Sequence, residues 1–143
     1  MKLFNYTLIK QIASKAILFS FIIAISACTK QSEIKVSGEL KKWHTITLTF
    51  DGPLTSELDE VNPFLNYRLD VTFSNGDKSY VIPGFYAADG KAAESSGDKG
   101  NKWMVRFTPD EIGEWNYEVS FKKGENIAVA ESVSNSVESA GFS

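Results

Sequence analysis

The sequence is poor in the residues that build disulfides, metal sites and nucleic-acid surfaces. It contains one cysteine, Cys28, and one histidine, His44, among 143 residues. A single cysteine cannot form an internal disulfide, and one histidine leaves too few nitrogen and sulfur ligands for zinc. Arg68 and Arg106 are the only arginines, and the formal net charge is −3. Because nucleic-acid binding needs several phosphate-neutralising cations, we expect no nucleic-acid partner, no metal and no cofactor.

The first 27 residues have the features of an export signal rather than of a membrane span. Lys2, Lys10 and Lys15 are followed by an apolar stretch over residues 16–27, and no acidic residue occurs in this segment. This stretch of twelve residues, interrupted only by Ser20 and Ser26, is too short to cross a bilayer, which takes about 20 residues. It suits the apolar region of a secretory signal. We therefore interpret residues 1–27 as a signal-peptide helix outside the folded domain.

The signal ends in Ile25-Ser26-Ala27-Cys28, which resembles the lipobox of bacterial lipoproteins. The resemblance implies cleavage before Cys28, a diacylglyceryl group on its sulfur and a lipid anchor in the cell envelope. Because the residue directly after Cys28 is Thr29 and not an aspartate, we favour the outer membrane of a Gram-negative bacterium. A chance cysteine after an ordinary export signal is the alternative. Removal of residues 1–27 takes away three lysines and no acids, which leaves 116 residues with a formal charge of −6.

The remaining chain has the size of one domain. Residues 28–40 are polar and weakly patterned, so we expect a flexible tether. From residue 41 onwards, apolar and polar residues alternate as in strands with one buried face. The apolar positions that share a face are Ile46, Leu48 and Phe50; Leu65, Tyr67, Leu69, Val71 and Phe73; Trp103, Val105 and Phe107; and Trp115, Tyr117, Val119 and Phe121. Ile127 and Val129 indicate a short last strand.

Turn residues separate these runs. Asp51-Gly52-Pro53 ends the first run, and Asn75-Gly76 predicts a type I′ hairpin turn before a return strand over residues 78–82. Residues 89–101 are rich in glycine and serine and are interpreted as a loop. At least six short strands without an amphipathic helix favour two packed antiparallel sheets over residues 41–131. A closed barrel is the alternative. Residues 132–143 are interpreted as a linker or a truncated domain junction.

The aromatic residues can form a core or a platform on which sugars stack. Trp103 and Trp115 alternate with polar residues, so we expect them in the core. Trp43 has the opposite parity to Ile46 and can face a sugar or a neighbouring domain, which leaves core and platform open. Trp43 and Tyr86 are the candidate carbohydrate or domain-contact residues. His44 has no Ser, Cys or Asp partner at a recognised catalytic spacing and is not assigned to a triad.

Two adjacent carboxylate pairs, Asp59-Glu60 and Asp110-Glu111, are candidates for catalytic acids. A glycoside hydrolase needs two carboxyl groups about 5 to 9 Å apart across a cleft, whereas adjacent residues on a strand point to opposite faces. The acidic segment with Asp51 and Glu57 lacks the acid spacing of a dedicated calcium loop. The sequence therefore assigns no catalytic residue and no metal site.

Several segments together resemble one protein family. They are Trp43-His44 before a threonine-rich strand ending in Phe50-Asp51-Gly52-Pro53, then Asn62-Pro63-Phe64, then residues 81–86, and finally residues 103–117. In this order they resemble domain of unknown function 5060, an immunoglobulin-like N-terminal module of bacterial glycoside hydrolases. The resemblance implies an all-β fold, an immunoglobulin-like antiparallel β-sandwich.

The same resemblance implies a role for one corner of the sandwich. Arg106, Pro109, Gly113, Trp115 and Tyr117 suit a crossing from one sheet to the other, because proline fixes φ and glycine permits the turn. Tyr117 is expected to act as a corner tyrosine whose hydroxyl bonds to loop backbone.

The resemblance also implies a function. In the family, the module precedes a (β/α)₈ hydrolase barrel and packs against it. We therefore expect a non-catalytic accessory domain of a surface-anchored glycoside hydrolase. Its expected partners are the membrane, through lipidated Cys28, and the barrel, and a polysaccharide is a further candidate. A carbohydrate-binding sandwich that uses exposed aromatics is the alternative, and a free-standing enzyme is the least favoured.

Overall fold

Two antiparallel sheets of four strands each form the domain. The computed structural model describes residues 34–131 and 137–142. The signal segment, Cys28, residues 29–33 of the tether, and residues 132–136 and 143 of the linker lie outside these residues. The strands are β1 (Lys35–Ser37), β2 (Ile46–Ser56), β3 (Tyr67–Asn75), β4 (Lys78–Pro83), β5 (Phe85–Tyr86), β6 (Lys99–Phe107), β7 (Asn116–Lys123) and β8 (Glu138–Ser139). The helical elements are α1 (Pro63–Asn66), α2 (Ala92–Ser95) and a 3₁₀ turn (Ile127–Val129).

The strand order is that of an immunoglobulin-like sandwich. One sheet has the order β1-β2-β6-β5 and the other β4-β3-β7-β8. If the strands are lettered A, B, C, C′, D, E, F and G in chain order, these sheets read A-B-E-D and C′-C-F-G, the arrangement of immunoglobulin domains. The expected all-β sandwich is therefore confirmed, and the closed barrel is excluded.

The alternating apolar residues form the core, as their spacing predicts. In β2 the buried Ile46, Leu48 and Phe50 alternate with half-buried threonines. The buried residues of β6 lie beside these in the same sheet, and those of β3 and β7 face them from the other sheet, because side chains of a strand alternate between its two faces. The other members of the core are Tyr67, Leu69, Val71, Phe73, Tyr86, Ala88, Trp103, Val105, Phe107 and Phe121.

The hairpin forms where it was expected, but its turn is shifted by one residue. Asn75 pairs with Lys78, so the two loop residues are Gly76 and Asp77 rather than Asn75 and Gly76. Gly76 has φ of +56° and Asp77 is not among the residues with positive φ. A glycine with positive φ at the first loop position alone is the pattern of a type II′ turn. The expected type I′ turn was therefore wrong.

Strand boundaries also differ from the sequence interpretation, and β6 begins at Lys99, within the segment interpreted as a loop. β2 continues past Asp51-Gly52-Pro53 to Ser56, with a register shift between Asp51 and Thr55. A bulge of this kind accommodates proline within a strand. The run that was expected to begin at Leu65 is helical until Asn66, because the Asn62 side chain accepts a hydrogen bond from the Phe64 N–H and Pro63 occupies the first turn.

Polar segments at both ends of the domain contain more structure than their composition suggests. Residues 35–37, assigned to the tether, form β1 and pair with residues 47–49 of β2. Glu138 and Ser139, assigned to the linker, pair with Lys123 and Lys122 of β7. Residues 127–129, expected to form a strand, make a 3₁₀ turn preceded by Asn126 at φ of +52°. Backbone pairing needs no apolar pattern, and the pattern therefore missed both short strands.

Candidate functional site

An open groove of about 750 Å³ lies between the two sheets at one end of the sandwich. This end carries the β1–β2 loop, the β3–β4 hairpin and the β6–β7 corner. The buried floor of the groove is formed by Ile46, Leu48, Phe73 and Phe107. Its walls are Val36, Trp115 and Tyr117, and its rim includes Leu40, Lys41, Lys42, His44, Glu111 and Ile112.

Two residues at inward-facing positions are left half exposed at this groove. Val36 pairs with the buried Leu48, and Tyr117 pairs with the buried Phe73. Cross-strand partners share a face of their sheet, so both side chains point into the sandwich. Val36 nevertheless remains 47% exposed and Tyr117 44% exposed. The space between the sheets is thus open along this side, and positions that alternation assigns to the core are in contact with solvent.

Stacked aromatic rings form the base of the groove. The Phe73 and Phe107 rings lie parallel with centroids 4.1 Å apart, and Trp115 meets Phe107 edge-on at 4.9 Å. Tyr80 stacks on Trp115 at 6.0 Å. The indole N–H of Trp115 donates to the backbone carbonyl of Glu111 at 3.2 Å. Trp115 is therefore held in one orientation, although it is only half buried and was expected fully in the core.

The rim of the groove combines exposed apolar residues with charged ones. Ile112 is 87% exposed at the tip of the β6–β7 corner. Leu40, also exposed, lies in the β1–β2 loop. His44 Nδ1 lies 3.0 Å from the carbonyl of Lys42, and its Nε2 lies 3.9 Å from Glu39 Oε2. An exposed apolar patch that is rimmed by polar residues is typical of an interaction surface.

A cluster of charged groups fixes the β6–β7 corner. Lys78 Nζ lies 2.7 Å from Asp110 Oδ2 and 2.8 Å from Glu111 Oε1, and the Tyr80 hydroxyl donates to Asp110 Oδ2 at 2.9 Å. These hydrogen bonds raise the pKa of Lys78, mainly through Asp110, and lower the pKa of Asp110, mainly through Lys78. The bond to Asp110 also raises the pKa of Tyr80. The Asp110 carboxylate thus forms a structural ion pair with Lys78.

The residues expected at the sheet crossing occupy this corner. Arg106 is exposed, with its guanidinium carbon 5.4 Å from the centroid of the Phe85 ring. Pro109 is buried and its carbonyl accepts the Trp43 N–H at 2.8 Å. Gly113 has φ of +136° and packs against the Asn75 side chain. The crossing leads from β6 in one sheet to β7 in the other.

The backbone-bonded tyrosine of this domain is Tyr86 rather than Tyr117. No hydrogen bond from the Tyr117 hydroxyl is present among the residues that the structure describes. The Tyr86 hydroxyl donates to the carbonyls of Thr55 at 2.5 Å and Gly100 at 3.3 Å, and burial raises its pKa. Local sequence patterns carry no signal for this bond, because it joins segments that are distant along the chain.

Trp43 and Tyr86 do not lie together. Trp43 is exposed, and its N–H bonds to the carbonyl of Pro109, which follows the last residue of β6. Tyr86 is buried, and its hydroxyl bonds to the carbonyl of Gly100, near the first residue of β6. The expectation that Tyr86 offers an exposed contact surface was therefore wrong, since its ring packs 5.1 Å from that of Trp103. Trp43 faces outward, one of the two orientations that its parity left open.

The two carboxylate pairs also lie apart. Asp59 Oδ2 accepts from Thr55 Oγ1 at 3.1 Å and from the Ser56 N–H at 2.8 Å, so it caps the loop after β2. Asp110 belongs to the corner at the opposite end of the sandwich. Within residues 34–131 and 137–142, no group of three or more acidic, histidine or cysteine side chains could hold a metal ion. In the same residues, no helix has the length and apolar character needed to cross a bilayer.

Fold and site together define a class: an immunoglobulin-like β-sandwich module with an open apolar groove. Residues 39–122, more than half of the chain, match the family profile described as "Domain of unknown function (DUF5060)". The chain belongs to this family, as its motifs indicated. Neither a curated protein nor a solved structure gives a match to the chain.

Proposed function

We propose that this domain is the non-catalytic accessory module of a lipid-anchored bacterial glycoside hydrolase, and that it packs on and orients a catalytic (β/α)₈ barrel. The observation that carries the proposal is the open groove, with half-exposed inward-facing residues and a strongly exposed isoleucine at its rim. In an isolated domain this apolar surface stays in contact with water, which costs about 25 cal/mol per Å². A second domain that covers the groove removes this cost.

The state of the acidic side chains supports an accessory rather than a catalytic role. Asp110 is paired with Lys78, Asp59 accepts two hydrogen bonds within its own loop, and Asp51 pairs with Lys102. A catalytic acid of a glycosidase needs a raised pKa and a partner carboxylate across a cleft. Hydrogen bonds lower the pKa of Asp89, mainly through Ser95, and the pKa of Asp110, mainly through Lys78.

The envelope location is part of the same proposal. The lipobox-like residues before Cys28 would place a lipid on its sulfur, and residues 29–33 would connect that lipid to β1. The residues that the structure describes belong to one compact unit, which suits a module that stands between an outer-membrane anchor and a catalytic domain.

The gene itself provides a direct test. We expect the reading frame of the intact gene to continue past the codon of Ser143 into a sequence with the alternating strands and helices of a (β/α)₈ barrel. A stop codon at that point in an intact genome would overturn the proposal.

A matched pair of variants tests the groove as the contact surface. Ile112 at the groove and Leu58 in the loop after β2 are similarly exposed, at 87% and 83%. In the full-length protein we expect Ile112→Asp to separate one cooperative thermal transition into two by calorimetry, because it places a charge in the interface. Leu58→Asp should leave the transition unchanged. If both variants behave alike, the groove is not the contact surface.

Carbohydrate binding through Trp43 is the second candidate. Its exposed indole, with Lys42 Nζ at 5.2 Å from the ring centroid, offers a flat apolar face to a sugar. Binding of residues 32–143 to a polysaccharide in affinity electrophoresis, lost in Trp43→Ala, would favour this candidate. No retardation on plant or algal polysaccharides would remove it.

A further inference from the structure

The turn between β1 and β2, residues 39–44, presents an indole to solvent beside a lysine. Trp43 is 65% exposed, and the Lys42 ammonium lies 5.2 Å from the centroid of its ring. Two other cation–aromatic pairs occur among the described residues, but their rings, Phe85 and Tyr67, are only 39% and 7% exposed. The turn therefore offers the most accessible ring of the three together with a cation.

Backbone hydrogen bonds define the shape of this turn. The Lys41 N–H donates to the Glu39 carbonyl at 2.8 Å, and the His44 N–H donates to the Lys41 carbonyl at 3.1 Å. The Trp43 N–H donates to the Pro109 carbonyl, which attaches the turn to the neighbouring β6–β7 corner. The indole thus projects from an ordered turn that lies against this corner.

The turn is locally basic on an acidic domain. Residues 28–143 carry a formal charge of −6, whereas residues 39–44 contain two lysines, one histidine and one glutamate. In the part of the chain that the structure describes, no carboxylate pairs with the Lys42 ammonium. Charges more than about 8 Å apart are largely screened at physiological ionic strength. A ligand at the turn therefore responds to these cations more than to the charge of the distant surface.

One carboxylate within the turn offsets part of this positive charge. Glu39 Oε2 lies 2.7 Å from Lys41 Nζ and 3.9 Å from His44 Nε2. Both contacts are exposed, and exposed ion pairs are weak. Glu39 thus occupies Lys41 in part, and Lys42 is the cation that a ligand on the indole meets first.

Two hydroxyl groups lie next to the turn. Thr45 follows it directly, and Thr108 precedes Pro109, whose carbonyl accepts the Trp43 N–H. The two threonine Oγ1 atoms are 2.9 Å apart, and both residues are exposed. A small-molecule site combines an apolar surface with a few polar groups that fix the orientation of the ligand. The indole and the two hydroxyls supply both features.

We propose that this turn binds an anionic polysaccharide. A sugar ring stacks on the Trp43 indole, and its carboxylate or sulfate group forms a charge-assisted hydrogen bond with the Lys42 ammonium, which has a flexible stem. The threonine hydroxyls bond to the hydroxyls of the sugar. The inference deepens the second candidate function, carbohydrate binding at Trp43, because it specifies the charge of the ligand. It does not depend on the docking of a barrel.

Oligosaccharides that differ only in charge test the proposal. The full-length protein, in a neutral detergent, is titrated by calorimetry with galacturonate oligomers of about six residues and with their methyl esters. A sulfated galactan oligomer and its desulfated form provide the same comparison for a sulfate group. We expect the charged form of at least one pair to bind about fivefold or more tightly than its neutral form.

The other outcomes of this titration are distinguishable. Equal affinities within both pairs would overturn the anionic class and leave carbohydrate binding at Trp43 in place. Binding of no oligomer would overturn both. Loss of barrel docking with the charge preference retained would remove the proposed accessory role alone, and the reverse result would remove this inference alone.

Two charge variants in the turn should change the affinity in opposite directions. Lys42→Gln should weaken binding of the charged oligomer about threefold or more, and Glu39→Gln should strengthen it about two- to fivefold, because it releases Lys41. Lys91→Gln and Glu118→Gln make the same charge changes at exposed positions outside the turn and should leave the affinity unchanged. Control variants that act as strongly as the turn variants would overturn the proposal.

Two further measurements examine the ring and the source of the anion. Trp43→Ala should abolish binding of the charged oligomer, and Trp43→Tyr, which keeps an aromatic ring, should retain it in part. Binding that survives Trp43→Ala would contradict stacking on the indole. Phosphatidylglycerol added to the detergent micelles should not displace the oligomer. Displacement would assign the turn to anionic lipid and overturn the proposal.

Discussion

The two aromatic clusters of this sandwich both include inward-facing residues of alternating strands, but one cluster is buried and the other is open to solvent. Around Trp103, the rings of Tyr67, Tyr86 and Phe121 lie within 5.2 Å of its own, and all four residues are buried. We call these four residues the closed cluster. Around Phe107, the rings of Phe73, Tyr80, Trp115 and Tyr117 form the open cluster, in which only Phe73 and Phe107 are buried.

What closes one cluster is coverage by neighbouring chain segments. Phe142, after β8, stacks on Phe50 and Phe121 with centroids 5.5 and 5.3 Å away. Phe64, in the short helix after β2, meets Tyr86 edge-on at 5.9 Å. The open cluster has no such cover among the described residues. Alternation decides which way a side chain points, and the tertiary cover decides whether it is buried.

The largest expected effect is on the closed cluster. Trp103→Ala should lower the free energy of unfolding by about 3–5 kcal/mol, because it removes a fully enclosed side chain and leaves a cavity. Trp115→Ala should cost about 1–2 kcal/mol, since its ring is already half in solvent. Urea denaturation followed by circular dichroism measures both. Equal losses would mean that the two clusters are equally enclosed, and Trp103→Phe keeps the comparison measurable if the alanine variant does not fold.

A smaller effect distinguishes the two tyrosines. Tyr86→Phe leaves the Thr55 and Gly100 carbonyls without their donor and should cost about 1–2 kcal/mol. Tyr117→Phe removes a hydroxyl that has no hydrogen bond among the described residues, and should change stability by less than about 0.5 kcal/mol. The same denaturation measurement applies. A larger loss for Tyr117→Phe would restore Tyr117 as the corner tyrosine.

The smallest effect concerns the ion pair that fixes the corner beside the open cluster. The pKa of Asp110 is lowered from its usual 3.8, so its contribution to stability is present above about pH 4 and is lost as the pH falls through its folded-state value. The pKa of Lys78 is raised, so its contribution is complete below 10.5 and is lost only at still higher pH.

Asp110→Asn should therefore lower Tm between about pH 5 and pH 9 and flatten its decline between about pH 4 and pH 2. Scanning calorimetry across this range measures the change. Asp77→Asn, in the exposed hairpin loop, is the control. An unchanged acid limb in Asp110→Asn would show that the pair does not stabilise the corner.

The fold was more predictable from the sequence than the site. Period-two alternation identified β2, β3, β6 and β7 because each has one apolar face. It did not identify β1 or β8, whose residues are all exposed, or the bulge at Pro53. The burial of Tyr86 and the opening beside Tyr117 depend on contacts between segments distant in sequence, and neither position differs from its neighbours in its local pattern. Membership of the family was readable because its motifs recur in order, whereas the groove was not.

Trp43 has a left-handed backbone conformation, which is rare for a residue other than glycine. Its φ is +66°, a region that costs a non-glycine residue about 1–2 kcal/mol, and its exposed ring recovers little of this by burial. The Pro109 carbonyl holds the residue in place. The loop thus fixes the backbone of Trp43 before any partner arrives, and a partner that binds this residue has less backbone entropy to remove.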